Sequence, residues 1–429
     1  MFINSTKIFL YKLSFFFFSI PLTLFIILPL SLVIILLQNF FETEDSKKIL
    51  FIGGNETSNN IFEICKTLAK DKNYFIYRFI FKEHPFYKHT EVQPNNVNTT
   101  FEKILAIKLE GSLLTRLVKD CFKCLSFLFF LPKTNIFFFN WSETFLPFNL
   151  DLLLLKLMKK QVFIRHCGDE VRYRPLQDGI HTQFGINQWN NMPRGLLDLL
   201  RSLWAQWVGE NFATVLSTRD HATFQLKELT IRPYVQSEIP PTTGLAFDRD
   251  WSIIHAPSNR RIKGTSIVVE AIEKLSLKRN DFSFQLIEET DNAELVKILT
   301  KTSIVLDQPG ATPARLAVEG LAAGCIVVGG NCTQIHGIQD LPVLEFPNTP
   351  DKLLDLLESI LDNKELYAHT GNANRQFWKK NFSEDAFKIY FDSILDGSAP
   401  TFNRIEGHEN YLIKSAQTWY EKLAIKLRY

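Results

Sequence analysis

The feature that most constrains the fold is a strand–glycine–helix pattern that recurs along the chain. Its first instance is KKILFIGGN (47–55), an apolar run that ends in Gly53 and Gly54 and precedes a helix-patterned stretch from Ser58 to Lys70. A strand, a glycine turn and a helix in that order begin a doubly wound α/β domain. Because strands alternate with helices, we expect a parallel sheet with helices on both faces, and the predicted fold class is α/β.

Two series of this pattern follow one another. Further strands are predicted at 74–81, 135–141, 161–166 and 213–218 in the first series, and at 252–256, 282–289 and 303–308 in the second. Between the series, QSEIPPTTGLAFDRD breaks the periodicity with two prolines and a glycine, which is typical of an interdomain linker. The sequence therefore predicts a first Rossmann-like domain, a linker, a second Rossmann-like domain and a helical tail, at 47–235, 236–250, 251–398 and 399–429.

The N-terminus differs in kind from the rest of the chain. Between Lys12 and Glu42 there is no charged residue, whereas a single membrane span needs only about 20 apolar residues. The segment is also too long for the apolar region of a signal peptide. We therefore predict a membrane anchor and spacer over residues 1–46. The anchor is either one helix or, because of Pro21 and Pro29, a hairpin.

Composition and spacing exclude several classes of protein. The formal net charge is only +2, so no nucleic-acid partner is expected. The cysteines do not follow a disulfide spacing, and the pair Cys121 and Cys124 has no second pair or histidine pair beside it, so no metal site is expected. The sequence GGNETS after the first strand lacks the GxGxxG pattern that a nicotinamide-dependent dehydrogenase would need.

The strongest candidate site is the loop HAPSNRRIKGT (255–265). Arg260, Arg261 and Lys263 lie close together there, after a predicted buried strand and just before a helix. Ligands of open α/β sheets bind outside the carboxyl ends of the strands. A diphosphate at that place would meet fixed cations and the positive end of a helix. The alternative is a solvated basic turn, but the position in the fold favours the diphosphate site.

A second candidate element is DQPGATPARLAVEGLAAG (307–324). Its small residues, among them Gly310 and Ala311, allow the backbone to approach a ligand or a neighbouring strand closely. Glu319 lies on the helix of this element. We interpret it either as a solvent-facing glutamate or as a carboxylate that accepts the two hydroxyls of a ribose.

A third candidate is RHCGDEVRY (165–173), at the end of the predicted strand 161–166. His166, Asp169 and Arg172 surround a glycine there, so titratable groups meet where the chain turns. A histidine that ends a strand is either structural or catalytic, and the surrounding polar groups leave both interpretations open.

Four segments resemble, in the same order, elements of bacterial retaining glycosyltransferases of the group 1 or family 4 type. Their strand–helix–strand segment ends in HGSD(I/V)R, and their donor domain contains an HAPSxRxxKGT loop and a DQ…AVEAMALGKPVV element. The matching segments here are FFFNWSETFLPFNLDLLLLKLMKKQVFIRHCGDEVRY, ATVLSTRD, IIHAPSNRRIKGT and VLDQPGATPARLAVEGLAAGCIVV. Two departures are HCGD in place of HGSD and Ala311 where many relatives carry a glutamate.

The resemblance implies a GT-B fold, in which two Rossmann-like doubly wound domains face a cleft, and a nucleoside-diphosphate sugar as donor without a metal or other cofactor. The implied catalytic residues are His166, Asp169, Arg260 and Lys263. The implied donor-binding residues are Arg260, Arg261 and Lys263 for the diphosphate, Glu319 for the ribose, and Gly264, Gly310 and Ala311. The implied acceptor-side residues, in the first domain, are Gly53, Gly54 and Arg172.

The activity that the resemblance implies is sugar transfer with retention, and the predicted anchor suggests an envelope glycan or a lipid-linked acceptor. With the anchor, it implies a protein of the bacterial inner membrane whose catalytic domains lie in the cytoplasm. Two alternatives stay open. Because HCGD and Ala311 depart from the pattern, one is a catalytically inactive membrane-bound scaffold that binds nucleotide sugars. The other is a sugar-nucleotide epimerase, which has the same GT-B architecture.

Overall fold

The computed structural model describes most of the chain outside its N-terminus. The described residues are 19–36, 48–56, 59–82, 94–101, 113–168, 170–177, 194–221, 224–225, 227–245, 250–402 and 408–429. They fall into two compact units. The first comprises the described residues of Met1–His84, His89–Glu170 and Trp204–Leu216, and the second those of Val171–Leu203 and Ser217–Tyr429.

The first unit contains a parallel sheet with the strand order β6-β5-β4-β1-β2-β3. Its strands are β1 Lys48–Asn55, β2 Tyr74–Lys82, β3 Val97–Asn98, β4 Ile136–Asn140, β5 Gln161–Arg165 and β6 Thr214–Ser217. Its helices are α1 Asn60–Leu68, α2 Leu113–Lys133 and α3 Leu150–Leu157. A fourth helix, α4 Leu196–Phe212, belongs to this unit from Trp204 onward. Because crossovers between parallel strands are right-handed, α1 lies on one face of the sheet and α2, α3 and α4 lie on the other.

Phenylalanine side chains fill the space between the sheet and the helices α2, α3 and α4. Every residue of β4 is buried, as expected for a strand that is covered on both faces. The ring of Phe51 on β1 lies 5.0 Å from that of Phe130 on α2 and 4.7 Å from that of Phe145, measured between centroids. The abundance of phenylalanine before residue 150 therefore has a packing role outside the N-terminal segment as well.

The N-terminal helix packs on this phenylalanine core. It consists of consecutive helical segments, Ile20–Leu22, the π-helical Thr23–Ile27 and Leu28–Leu36, and Ile27 is fully buried in the core. No helix of the described residues is long and apolar enough to cross a membrane. Pro21 and Pro29 lie within consecutive helical segments, so the hairpin predicted from these prolines is not seen between Ile20 and Leu36. The rest of the predicted anchor lies outside the described residues.

The second unit contains a parallel sheet with the strand order β12-β11-β10-β8-β9. Its strands are β8 Trp251–His255, β9 Phe282–Leu286, β10 Ile304–Leu306, β11 Ile326–Gly329 and β12 Leu344–Glu345. From β8 the chain passes to β9 on one side and then to β10 on the other. The direction of winding therefore reverses between β8 and β10. This reversal, the topological switch point, is where open α/β sheets bind ligands.

Helices and a short strand pair complete the second unit. The helices are α5 Thr265–Ser276, α6 Asn292–Leu299, α7 Arg315–Ala323, α8 Thr333–His336, α9 Pro350–Asp362, α10 Lys364–Ala368, α11 Thr370–Asn381, α12 Glu384–Asp396, α13 His408–Ser415 and α14 Trp419–Arg428. The antiparallel pair is β7 Leu229–Ile231 and β13 Thr401–Phe402. The helical tail is held within this unit, because the buried carboxylate of Glu421 accepts hydrogen bonds from Tyr173 at 2.7 Å and from Arg194.

Gly54 offers a test of the packing in the first sheet. Its φ is +114°, and a Cβ atom there would lie 2.2 Å from the carbonyl oxygen of Asn140 on β4. We expect Gly54→Ala to lower the free energy of unfolding by about 3 kcal/mol or more, through backbone strain and the clash. The measurement is the midpoint of chemical denaturation.

Gly397 provides the matched control for this substitution. It also has a positive φ, +79°, but an added Cβ would meet no heavy atom within 4 Å. Gly397→Ala should therefore cost only the left-handed backbone penalty, about 1 kcal/mol. Equal losses of stability for the two variants would contradict the packing described here.

Candidate functional site

His255 joins the elements that meet at the switch point of the second sheet. It ends β8, and its Nδ1 lies 2.8 Å from the carbonyl oxygen of Leu306 on β10. Its Nε2 lies 2.9 Å from the hydroxyl of Thr265 at the start of α5. Burial lowers the pKa of His255, which favours the neutral ring: Nδ1–H donates to the carbonyl and Nε2 accepts from the hydroxyl. His255 therefore fixes β8, β10 and α5 relative to one another.

The loops that follow β8 and β10 are in close contact. Gly264, at the N-terminal end of α5, has a φ of +67°, and an added Cβ would lie 2.8 Å from the Cδ of Pro309. Within the β8 loop, the amide of Ile262 donates to the side chain of Asn259 at 3.1 Å. Gly264 thus lies where the predicted diphosphate loop packs against the second candidate element, and a larger residue would separate them.

Lys263 and Asp307 form an ion pair between these two loops. The Nζ of Lys263 lies 3.1 Å from Oδ1 of Asp307, and the side chains are 12% and 0% exposed. The other carboxylate oxygen, Oδ2, accepts the amide of Ala314 at 2.7 Å, just before α7 begins. One buried carboxylate therefore holds both the predicted diphosphate-binding lysine and the start of a helix. Asp307 was missed by the site prediction, although its position directly after a buried strand was a usable signal.

Arg260 and Arg261 are exposed, unlike Lys263. Nε and Nη2 of Arg260 donate to the two carboxylate oxygens of Glu288, which follows β9, and the Nε contact is 2.8 Å. The guanidinium accordingly holds the pKa of Glu288 below its usual range. The alternative of a solvated basic turn fits the exposure of the two arginines but not that of Lys263. In this structure Arg260 and Lys263 each have a carboxylate partner, with which a diphosphate would compete.

Glu319 is buried, with 1% of its surface exposed, so the interpretation as a solvent-facing glutamate was wrong. Its Oε1 accepts from Nδ2 of Asn292 at 2.8 Å and from Nε of Arg315 at 3.3 Å. Arg315 stands four residues earlier on the same helix, a spacing that predicts such an ion pair and that the site prediction overlooked. The ribose role of Glu319 stays a prediction.

Gly310 and Ala311 lie in the loop after β10. Gly310 has a φ of +134°. A Cβ added at Gly330, after β11, would lie 2.8 Å from the carbonyl oxygen of Gly310. Ala311 is buried, and its carbonyl accepts the amide of Cys332 at 3.0 Å. The loop after β10 therefore packs closely on the loop after β11, as small residues permit. The contact of Gly310 and Ala311 with a sugar donor stays a prediction.

In the first unit, the predicted glycine turn is part of a strand. β1 continues through Gly53 and Gly54 to Asn55, because glycine lets Gly54 pass close to β4. The first sheet reverses its winding between β1 and β4, so these residues lie at its switch point. Glu143, which the site prediction missed, accepts from Nδ2 of Asn55 at 2.8 Å and from Nζ of Lys123 at 2.7 Å.

The charge of Glu143 follows from these contacts. Desolvation raises the pKa of its carboxyl group, but Lys123 and the hydrogen bond from Asn55 outweigh it and bring the pKa below the usual value. Glu143 is therefore an ionised carboxylate at the carboxyl edge of the first sheet, with 41% of its side chain exposed.

His166 and Arg172 belong to different units. His166 is fully buried, and its backbone amide extends the ladder by donating to Leu216 at 2.9 Å. Its ring Nε2 would lie 3.7 Å from a Cβ at Gly209, so the ring is directed toward α4. In the second unit Arg172 contacts the ring of the buried His221. Asp169 lies outside the described residues, and the catalytic or acceptor roles of all three stay predictions.

Comparisons with known proteins agree with the architecture. By sequence, the chain matches no protein-family model and no curated protein. By structure, it is similar to sucrose-phosphate synthase from Thermosynechococcus elongatus, with a TM-score of 0.54 and 12% identity, covering 82% of this chain and 99% of that one. It is also similar to HepE from Anabaena in complex with UDP, with a TM-score of 0.50 and 11% identity, covering 82% of this chain and 100% of that one. At these identities the likeness shows the fold, which is GT-B-like with two α/β units and parallel sheets.

The Asp307 contact generates a stability prediction. Asp307→Ala leaves a mostly buried lysine and the amide before α7 without their acceptor, so we expect a loss of about 3 kcal/mol in the free energy of unfolding. Lys263→Met in the same background should restore part of that loss, because it removes the uncompensated charge. Chemical denaturation of the single and double variants measures both effects.

The matched control is Glu294→Ala, which removes an exposed ion pair with Lys297 on α6 of the same unit. Such surface pairs contribute about 0–1 kcal/mol. If Asp307→Ala were no more destabilising than this control, the organising role of the Asp307 carboxylate would be wrong.

Proposed function

We propose that the protein is a glycosyltransferase that moves a sugar from a nucleoside-diphosphate sugar to an envelope glycan or a lipid-linked acceptor. The observation that carries the proposal is the Lys263–Asp307 pair at the switch point of the second sheet. That point is where open α/β sheets bind ligands, and Lys263 lies in the loop that resembles the donor loop of retaining glycosyltransferases.

The chemistry of the loop suits a leaving diphosphate. Negative charge builds on the diphosphate as the bond to the sugar breaks, and fixed cations near it lower the barrier. Lys263 is held in place by the buried carboxylate of Asp307, and Arg260 lies in the same loop. These cations would take the role that a metal ion has in other transferases, so the proposed reaction needs no metal. Retention of the anomeric configuration rests on the sequence resemblance.

The nucleotide and the acceptor belong to the same proposal. The HepE structure holds UDP, which makes UDP the first nucleotide to test here. The uncharged N-terminal segment supports an acceptor at a membrane, with the catalytic units on the cytoplasmic side of a bacterial inner membrane, where nucleotide sugars are made. On the acceptor side, the switch point of the first sheet offers Gly53, Gly54 and the carboxylate of Glu143.

The loop cations generate a kinetic prediction. Lys263→Ala and Arg260→Ala should each lower kcat by about 100-fold or more, since each removes a fixed cation from the developing charge. Lys274→Ala is the matched control, because Lys274 forms exposed ion pairs with Asp351 and Glu270 on the outside of the same unit. The rates are measured as nucleotide release from each of a panel of nucleoside-diphosphate sugars. Assays with and without EDTA test whether the reaction needs a metal.

The same experiment separates the rival functions. Turnover within twofold of wild type for both loop variants would exclude the assignment. UDP binding without transfer or hydrolysis of any donor would instead identify a scaffold. Conversion of a donor to its epimer, without sugar transfer, would identify an epimerase.

Glu319 generates a binding prediction. If its carboxylate accepts the ribose hydroxyls, Glu319→Gln should weaken UDP binding by about tenfold, the loss of one charge-assisted hydrogen bond. Calorimetry with UDP measures the dissociation constant, and thermal unfolding measures the structural effect separately. A lower melting midpoint with an unchanged dissociation constant would show that Glu319 only holds Asn292 and Arg315 in place.

A further inference from the structure

The N-terminal helix of the first unit has its polarity reversed relative to a helix that faces water. Its hydroxyl groups are directed inward: Ser19, Thr23 and Ser31 are 3%, 1% and 0% exposed. The hydroxyl of Thr23 donates to the carbonyl oxygen of Ser19 at 2.7 Å. A helix in water places its polar side chains outside, so this arrangement suits a helix whose outer side meets hydrocarbon.

The outer side of this helix is entirely apolar. Its side chains are between 46% and 80% exposed, namely Leu24, Phe25, Ile26, Leu30, Leu32, Val33 and Leu36. No charged residue occurs between Lys12 and Glu42. Soluble proteins rarely leave a continuous apolar face of this extent in water. The face therefore needs a partner, and nothing in the described part of the chain covers it.

Neighbouring helices continue the apolar surface on the same side of the sheet. The N-terminal helix packs with α2, α3 and α4 on one phenylalanine core. Right-handed crossovers place α2, α3 and α4 on one face of the sheet. Val118 and Leu125 on α2 are exposed, and they lie on one helical stripe because they are seven residues apart. Leu153 and Leu157 on α3 are exposed in the same way, four residues apart.

Two tryptophans and a lysine lie at the α3–α4 side of this layer. Trp204 and Trp207 are 43% and 40% exposed, with ring centroids 5.4 Å apart. The indole NH of Trp204 donates to the carbonyl oxygen of Phe148 at 3.3 Å. Lys156 donates to the carbonyl oxygen of Asn211 at 2.8 Å beside them. Tryptophan and lysine are the residues that concentrate at the boundary between lipid and water.

Chemistry distinguishes a lipid from a second copy of the chain. Interfaces between proteins carry a polar rim and about one hydrogen bond per 100–200 Å². The outer side of the N-terminal helix offers no polar side chain for such bonds, whereas hydrocarbon needs none. We infer that the layer of the N-terminal helix, α2, α3 and α4 is a lipid-binding face. The helix lies in the hydrocarbon parallel to the bilayer surface, and Trp204 and Trp207 lie at the interface.

This inference deepens the proposed membrane attachment by replacing a spanning helix with a monotopic contact. The lipid-binding inference can hold even if the protein transfers no sugar, because binding to lipid is measured without a donor or an acceptor.

Flotation of the full-length protein with phosphatidylcholine–phosphatidylglycerol vesicles tests the helix. Phe25→Glu combined with Leu36→Glu, at side chains 78% and 80% exposed, should reduce co-flotation at least tenfold. The matched control combines Leu277→Glu and Leu427→Glu, at side chains of the second unit that are 89% and 78% exposed, and should float as wild type does. Because all four sites are exposed, the folded state should tolerate the charges, and circular dichroism checks this.

Brominated lipids test the tryptophans independently. Bromine quenches indole fluorescence only at short range, so vesicles with brominated chains should quench the wild-type emission. Trp204→Phe combined with Trp207→Phe should remove most of that quenching. Trp419→Phe, which changes a tryptophan of the second unit that is 72% exposed, should leave it unchanged.

Two results would overturn the inference. One is equal flotation of wild type and the Phe25→Glu, Leu36→Glu variant. The other is a combination of three observations: the wild-type protein does not bind vesicles, it is a dimer by light scattering, and the Phe25→Glu, Leu36→Glu variant is a monomer. A second copy of the chain would then cover the face. Donor hydrolysis by the same variants should stay within twofold of wild type, which keeps a failure of lipid binding distinct from a failure of the proposed transferase activity.

Discussion

The buried carboxylate of Asp307 is the contact on which the second unit's candidate site depends. It accepts Lys263 from the loop after β8 and the amide of Ala314 at the start of α7, so it fixes segments that follow different strands. A charge buried at this depth is costly unless its partners are present, which makes the arrangement specific. Lys263 is consequently positioned before any ligand arrives, and such pre-organisation is what the stabilisation of a leaving group requires.

The first unit depends on a different constraint, the burial of its phenylalanine layer. Phe51 and its neighbours fill the space under α2 and α3, and the N-terminal helix packs on the same layer through Ile27. The hydroxyls of that helix are directed into the protein, and that of Thr23 donates to the carbonyl oxygen of Ser19. The same core therefore supports both the switch point of the first sheet, at Gly54 and Asn140, and the inferred lipid-binding face.

The elements of the fold were largely predictable, because periodic hydrophobicity is a property of neighbouring residues. The predicted strand 252–256 is β8, and the helix predicted from Thr265 is α5. The predicted glycine turn failed, since a strand ends where its pairing ends, and Gly54 still pairs with Asn140. The solvent-facing alternative for Glu319 failed for another reason: nearly all of α7 is buried in the second unit, and the carboxylate accepts a hydrogen bond from Asn292 on a different helix.

The sequence by itself determined the α/β class, the order of the elements and which charged residues stand at the carboxyl ends of strands. Only the tertiary structure determined which of those charges pair. Lys263 and Asp307 are 44 residues apart, and Arg260 and Glu288 are 28 residues apart. Their pairing requires β8 to lie between β10 and β9. Strand order is set by how helices and loops pack across the whole sheet, and no local pattern in the chain encodes it.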